Sequence, residues 1–206
     1  MSERPGTDPT LPDDVYASSR SRVPLIQREM LANEADRQRY DEAANDPRSL
    51  VGLRGPGGIR LYSPELSALA RPLNQFLRFH SGLDRRLTEI AILMSAREMD
   101  QPFEWSAHER AARSEGVSED VIDVVRYRRP TTGLGENEAA IIQLAREVFG
   151  AHRVSPATFA TAQRLFGTEQ LINICVLMGE YVTTGILLHA FDQQLPPGVE
   201  TTLPIS

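Results

Sequence analysis

Apolar residues recur at helical spacing along most of the chain, and nowhere do they alternate as in a half-buried strand. After Asp84, the residues Leu87, Ile90, Ala91 and Met94 fall at i, i+3, i+4 and i+7. Ile92, Leu93 and Ala96 make the opposite side apolar too, so this helix is predicted to lie deep. Ser63-Pro64-Glu65 supplies a cap, a first-turn proline and an acid, opening an earlier helix that runs to about His80. Another is predicted from near Gln101 to Glu115, stopped by Gly116. Ser118 opens a short helix to about Arg128, and turn residues fill 130–135. Helices follow at about 136–149, 155–166 and 168–192, the first two ended by Gly150 and Gly167. Upstream, 24–44 suits a surface helix, while 45–62 reads as a loop holding RGPGGIR at 54–60. Residues 1–23 lack any period and are expected to form a flexible arm, or a strap over a neighbouring subunit. Residues 196–206 read as an extended tail, which leaves one helical domain over 24–195. The expected fold class is all-α.

Two segments echo each other. RLTEIAILMS from Arg86 and QLINICVLMG from Gln170 agree at Leu, Ile, Leu and Met, and each leads toward a histidine, His108 or His189. Either a helical hairpin has been duplicated, with Asn173 in the place of Glu89, or two buried helices drawn from few apolar residue types look alike.

Composition narrows the function. The 206 residues, 41% hydrophobic and 24% charged, suffice for one globular domain with a real core. A net charge of −6 argues against a general hold on nucleic acid, which needs clustered cations facing phosphates. Cys175 is the only cysteine, so no internal disulfide can form. It sits amid LINICVLM, where a buried, inert sulfur is expected. The run 171–191 is long and apolar but carries Asn173, Glu180 and His189; with Glu180 at mid-span it reads as a core helix rather than a membrane span. The N-terminus has no apolar stretch of a secretory signal, and the expected location is cytoplasmic.

The candidate chemistry lies in FEWSAHERAA, from Phe103. Glu104 and His108 stand at i, i+4 beside Trp105, the only tryptophan. Taken alone, this is also what a first-turn carboxylate, a stabilising Glu–His pair and a core indole would look like. The preceding helix, however, brings Glu89 amid Leu87, Ile90 and Leu93, and helices joined so closely pack antiparallel. Two carboxylates and an imidazole in an apolar setting are acid–base equipment. A metal site would want a second histidine; His80 and His189 stand apart in sequence and no HExxH or ExxH occurs, so no metal is expected. No GxSxG marks a nucleophilic serine, and RGPGGIR is not a phosphate loop. Its Arg54 can clamp a substrate carboxylate or simply decorate a surface turn.

The stretch LTEIAILMSAREMDQPFEWSAHERAARSEGVSEDVI resembles the signature region of the carboxymuconolactone decarboxylase family, with weaker likeness over most of the chain beyond about Asp41. The resemblance implies the all-helical fold shared with alkylhydroperoxidase D-like proteins, and proton-relay roles for Glu89 and His108. Where the peroxidase branch carries a pair of thiols, this chain has Gln101 and Glu104, so thiol peroxidase chemistry is not expected. The resemblance also implies a trimer, or a hexamer of paired trimers. The arm to about Asn45 looks like an addition to a shorter family core. The expectation is a cofactor-free lyase acting on a small carboxylated lactone or related enolisable carbonyl compound, with no nucleic-acid or membrane partner. His108 would move the proton, Glu104 orient it and Glu89 complete the relay; Arg54, Trp105, Phe103 and His80 would face the substrate. The alternatives are an isomerase or dehydratase using the same dyad, or a ligand-binding or scaffold protein without turnover.

Overall fold

The computed structural model describes residues 3–205; residues 1, 2 and 206 of the expected arm and tail lie outside it. The fold is all-α: among the described residues the extended pairing is one isolated antiparallel bridge, between Tyr16 and Ser21. Contacts group the chain into two units. One gathers the described residues up to Leu73 with Ile186–Glu200, the other Asn74–Gly185 with the described residues from Thr201 onward.

In the first unit, helix α1 spans Glu34–Ala44 and starts later than the surface helix expected over 24–44. Asn33 decides this, because its side chain accepts from the Asp36 N–H and so caps the helix there. Upstream lies only a short 3-10 turn, Arg28–Met30, whose Arg28 pairs with Asp41 and Glu34. Ile26 and Leu31 pack with Leu61 into a small core. The loop expected over 45–62 also changes, since Pro56–Arg60 forms helix α2 behind Gly55. Glycine is required at 58, where a Cβ would lie 1.9 Å from the Leu53 carbonyl oxygen. The segment read as an arm buries Leu11 and Val15. It is hydrogen-bonded to the same chain, Arg22 N–H to Phe191 and Gln194 N–H to Arg20, both at 2.8 Å.

Helix α3, Pro64–Gln75, runs on into a wider π-type turn, Phe76–His80, which turns Leu77 and Arg78 inward. The second unit is built on α4 (Arg85–Glu98) and α5 (Pro102–Ser114), with α6 (Glu119–Arg126), α7 (Glu136–Arg146) and, as far as Gly185, α8 (Pro156–Ala190) around them. Asp84 caps α4, accepting from the Arg86 N–H, and every residue from Leu87 to Arg97 is buried, as the two-sided apolar pattern predicts. Gln101 caps α5 through the Phe103 N–H, Pro102 takes the first turn, and Gly116 follows at φ 85°. Inside α8, Gly167 adopts φ 72° and ψ 169°, so the predicted stop is real and two helices meet there. The core of this unit joins α4, α5, α6 and α7 to Ile174, Leu177, Met178 and Tyr181 of α8 and to Leu203.

Helix α8 is long and apolar enough, by length and composition, to cross a bilayer, but it is partly a core helix. One face is not covered: Ile172 and Val176 are exposed, and so is Cys175. The burial expected for that sulfur is thus corrected. Apolar neighbours in sequence do not say which face of a helix has a partner.

Candidate active site

Antiparallel packing of α4 and α5 brings together the three side chains singled out in the sequence. His108 is bracketed by two carboxylates. Its Nδ1 is 2.7 Å from Glu89 Oε2, and its Nε2 is 3.4 Å from Glu104 Oε2. All three are almost wholly enclosed: Glu89 is 0%, His108 4% and Glu104 5% exposed. The spacing explains the convergence. On α5, four residues bring Glu104 and His108 to one face, and the three-residue connection after α4 returns that face to Glu89.

The electrostatics have further contributors. Glu89 Oε1 accepts from Arg85 Nη2 at 3.0 Å, and Arg78 Nη2 stands 3.9 Å away. Burial by itself would raise the Glu89 pKa. The charge and hydrogen bond of His108, with the charges of Arg78 and Arg85, outweigh it and hold the carboxyl below its usual range. Glu89 is therefore an anion that accepts from Nδ1, which leaves Nε2 as the exchangeable position facing Glu104. The Tyr181 ring meets the imidazole edge-on, with centroids 4.9 Å apart and planes at 90°. Burial pushes its phenol well above the usual range, so it stays protonated, with Asn74 as a hydrogen-bond partner. The two ring nitrogens thus face different carboxylates, one on each side of the imidazole.

The remaining expected residues are placed as follows. Trp105 is fully buried, and its Nε1–H donates to Thr202 Oγ1 at 2.9 Å. That hydroxyl donates in turn to Glu109 Oε1 at 2.8 Å, and Glu109 is bound by Arg113 and Arg126. Phe103 is buried beside the Gln101 cap. His80 is exposed at the end of the π-turn, its ring 6.5 Å from that of Phe79. Arg54 belongs to the other unit, where it is exposed and donates to the Ser18 carbonyl at 3.2 Å. Sequence reasoning missed Arg78, Arg85 and Tyr181. Arg85 stands four residues before Glu89, a spacing that signals an ion pair; Arg78 and Tyr181 have no comparable local signal.

The fold and site define an all-α domain with an enclosed Glu–His–Glu cluster. Residues 64–147 match the sequence model of the Carboxymuconolactone decarboxylase family. The resemblance is thereby borne out over this span. Among solved structures it is similar to a protein of unknown function from Agrobacterium tumefaciens whose name suggests an AhpD antioxidant defence protein. The identity is 24%, the match covers 68% of this chain and 96% of that one, and the TM-score is 0.60. It is also similar to the debrominase Bmp8, both apo and as a cysteine-to-alanine variant in complex with 2,3,4-tribromopyrrole. There the identity is 14%, with 81% of this chain and 90% of that one covered at a TM-score of 0.65. At these identities the structural likenesses establish the fold. No curated protein matches.

Proposed function

We propose that the protein is an acid–base enzyme of the decarboxylase kind, acting on a small carboxylated lactone or related enolisable carbonyl compound. The observation that carries this reading is the imidazole held between two enclosed carboxylates, at 2.7 and 3.4 Å. A structural Glu–His pair needs one carboxylate; the second, on the far nitrogen, gives the ring a proton to exchange. In the proposed reaction the bond between the substrate carbon and its carboxylate breaks, CO2 leaves, and the electron pair spreads into an enolate. His108 Nε2–H delivers a proton to one carbon of that enolate, and Glu104 returns a proton from water to the ring. Glu89 keeps the ring oriented and stabilises the imidazolium. The family match over residues 64–147 supports enzymatic function, and a debrominase complexed with a small ring on the same fold supports a compact cyclic substrate. The exposed Ile172 and Val176 support assembly with further copies of the chain.

The test is proton NMR in deuterium oxide with a panel of carboxylated lactones and β-keto acids. Decarboxylation should place deuterium on the protonated carbon. His108→Asn and Glu104→Gln should lower turnover by about 10²–10⁴-fold, with the helical circular dichroism unchanged. Turnover at the wild-type rate in both folded variants would refute the assignment.

A further inference from the structure

Arg78 is the one charged group at this site whose hydrogen bonding does not close. It stands on the π-turn after α3, only 9% exposed, and its Nε is buried without a partner. The nearest carboxylate oxygen, Glu89 Oε1, is 3.9 Å from Nη2, too far for a hydrogen bond. That oxygen is already taken by Arg85 at 3.0 Å, and the other oxygen of Glu89 by His108 at 2.7 Å. One face of the guanidinium lies over the Phe79 ring, 4.7 Å from its centroid. A guanidinium carries five donors in a rigid fork and stays charged. Leaving its buried Nε–H without an acceptor costs about 1–3 kcal/mol, which an anionic oxygen seated there would recover. Helices that widen into a π-turn often do so at functional sites, and here the widening turns this side chain inward. Its charge also acts on Tyr181, whose ring lies against His108.

We propose that Arg78 is the substrate-binding residue for an anionic oxygen: it receives the carboxylate or developing enolate oxygen of the substrate beside the His108 relay. This role was expected of Arg54, whose guanidinium is exposed and donates to a backbone carbonyl. The proposal rests on the acid–base reading of the same site. It adds which residue receives the anionic oxygen, and that the anion is recognised from the Glu89 side of the imidazole. The planar fork offers two parallel donors to two oxygens, which a neutral ester or amide cannot accept equally well.

The experiment measures binding apart from turnover. Titration calorimetry of the full chain would use 5-oxotetrahydrofuran-2-carboxylate and, as the neutral control, its methyl ester. Wild type should bind the carboxylate about tenfold or more tightly than the ester, the order expected for a charge-assisted pair. Arg78→Gln should abolish that preference, Arg78→Lys retain part of it, and Arg54→Gln leave it intact. His108→Asn should keep the preference while losing turnover. If it keeps both, the proton-transfer reading fails and the anion site stands. Absence of preference in wild type, or its persistence in Arg78→Gln, overturns the proposal. Should Arg78→Gln not fold, the Arg78 Nε–H resonance of ¹⁵N-labelled wild type decides. It must move on adding the carboxylate and not the ester, and an unmoved signal overturns the proposal.

Discussion

Replacing Glu89 by glutamine removes one negative charge from the most enclosed point of the site and nearly preserves its volume. In the wild type this carboxylate is 0% exposed and serves His108 at 2.7 Å, Arg85 at 3.0 Å and Arg78 at 3.9 Å. Removing one partner of a buried charge set costs about 3–5 kcal/mol, because the cations stay behind. Two features reduce this figure. The Arg85 side chain is 27% exposed and also reaches Glu115, and a glutamine oxygen can still accept one hydrogen bond. The expected loss is therefore about 2–3 kcal/mol at neutral pH, or roughly 4–12 °C in Tm for a chain of this size. The pH dependence identifies the cause. The folded-state pKa of Glu89 lies below its ordinary value, so its contribution is fully present above the unfolded carboxylate pKa. It is lost as pH falls through the folded value. Urea unfolding followed by circular dichroism, from pH 7 downward, should show a constant gap between the two proteins to about pH 4.5. Further down the gap should close as wild-type Glu89 takes up its own proton. Equal stability at pH 7, or a gap that widens in acid, would refute this account of the site.

Thr202→Val should cost about 1–2 kcal/mol by breaking the link from Trp105 to Glu109. Faster exchange of the indole N–H would register it, and unchanged protection would refute it. The protein should not oxidise a dithiol donor with peroxide, because Gln101 and Glu104 replace the thiol pair and Cys175 stands alone. Peroxide turnover that disappears in Cys175→Ser would show otherwise. Light scattering should give three or six times the 22.9 kDa chain mass, and Ile172→Asp, on the exposed face of α8, should lower that mass. A wild-type monomer or dimer would refute the threefold assembly.

The helices and the Glu89–His108–Glu104 cluster were legible because their causes are local. A cap at Asp84, a first-turn proline at 102 and a stop at Gly116 are written within a few residues of the helices they bound. The α4–α5 connection is so short that Glu89 and His108 could only meet. Locality also explains the misses. Asn33 and Pro56 were visible, but whether each would begin a helix depended on packing: Ile26 and Leu31 against Leu61, and Gly58 against the Leu53 carbonyl. The sequence alone determined which side chains could perform acid–base chemistry. The tertiary structure decided their surroundings. A π-turn carried Arg78 inward, α8 brought Tyr181 against the imidazole, and Cys175 was left on the uncovered face of the same helix. Periodicity tells which faces of a helix are apolar; which of them is buried depends on the helix that packs there.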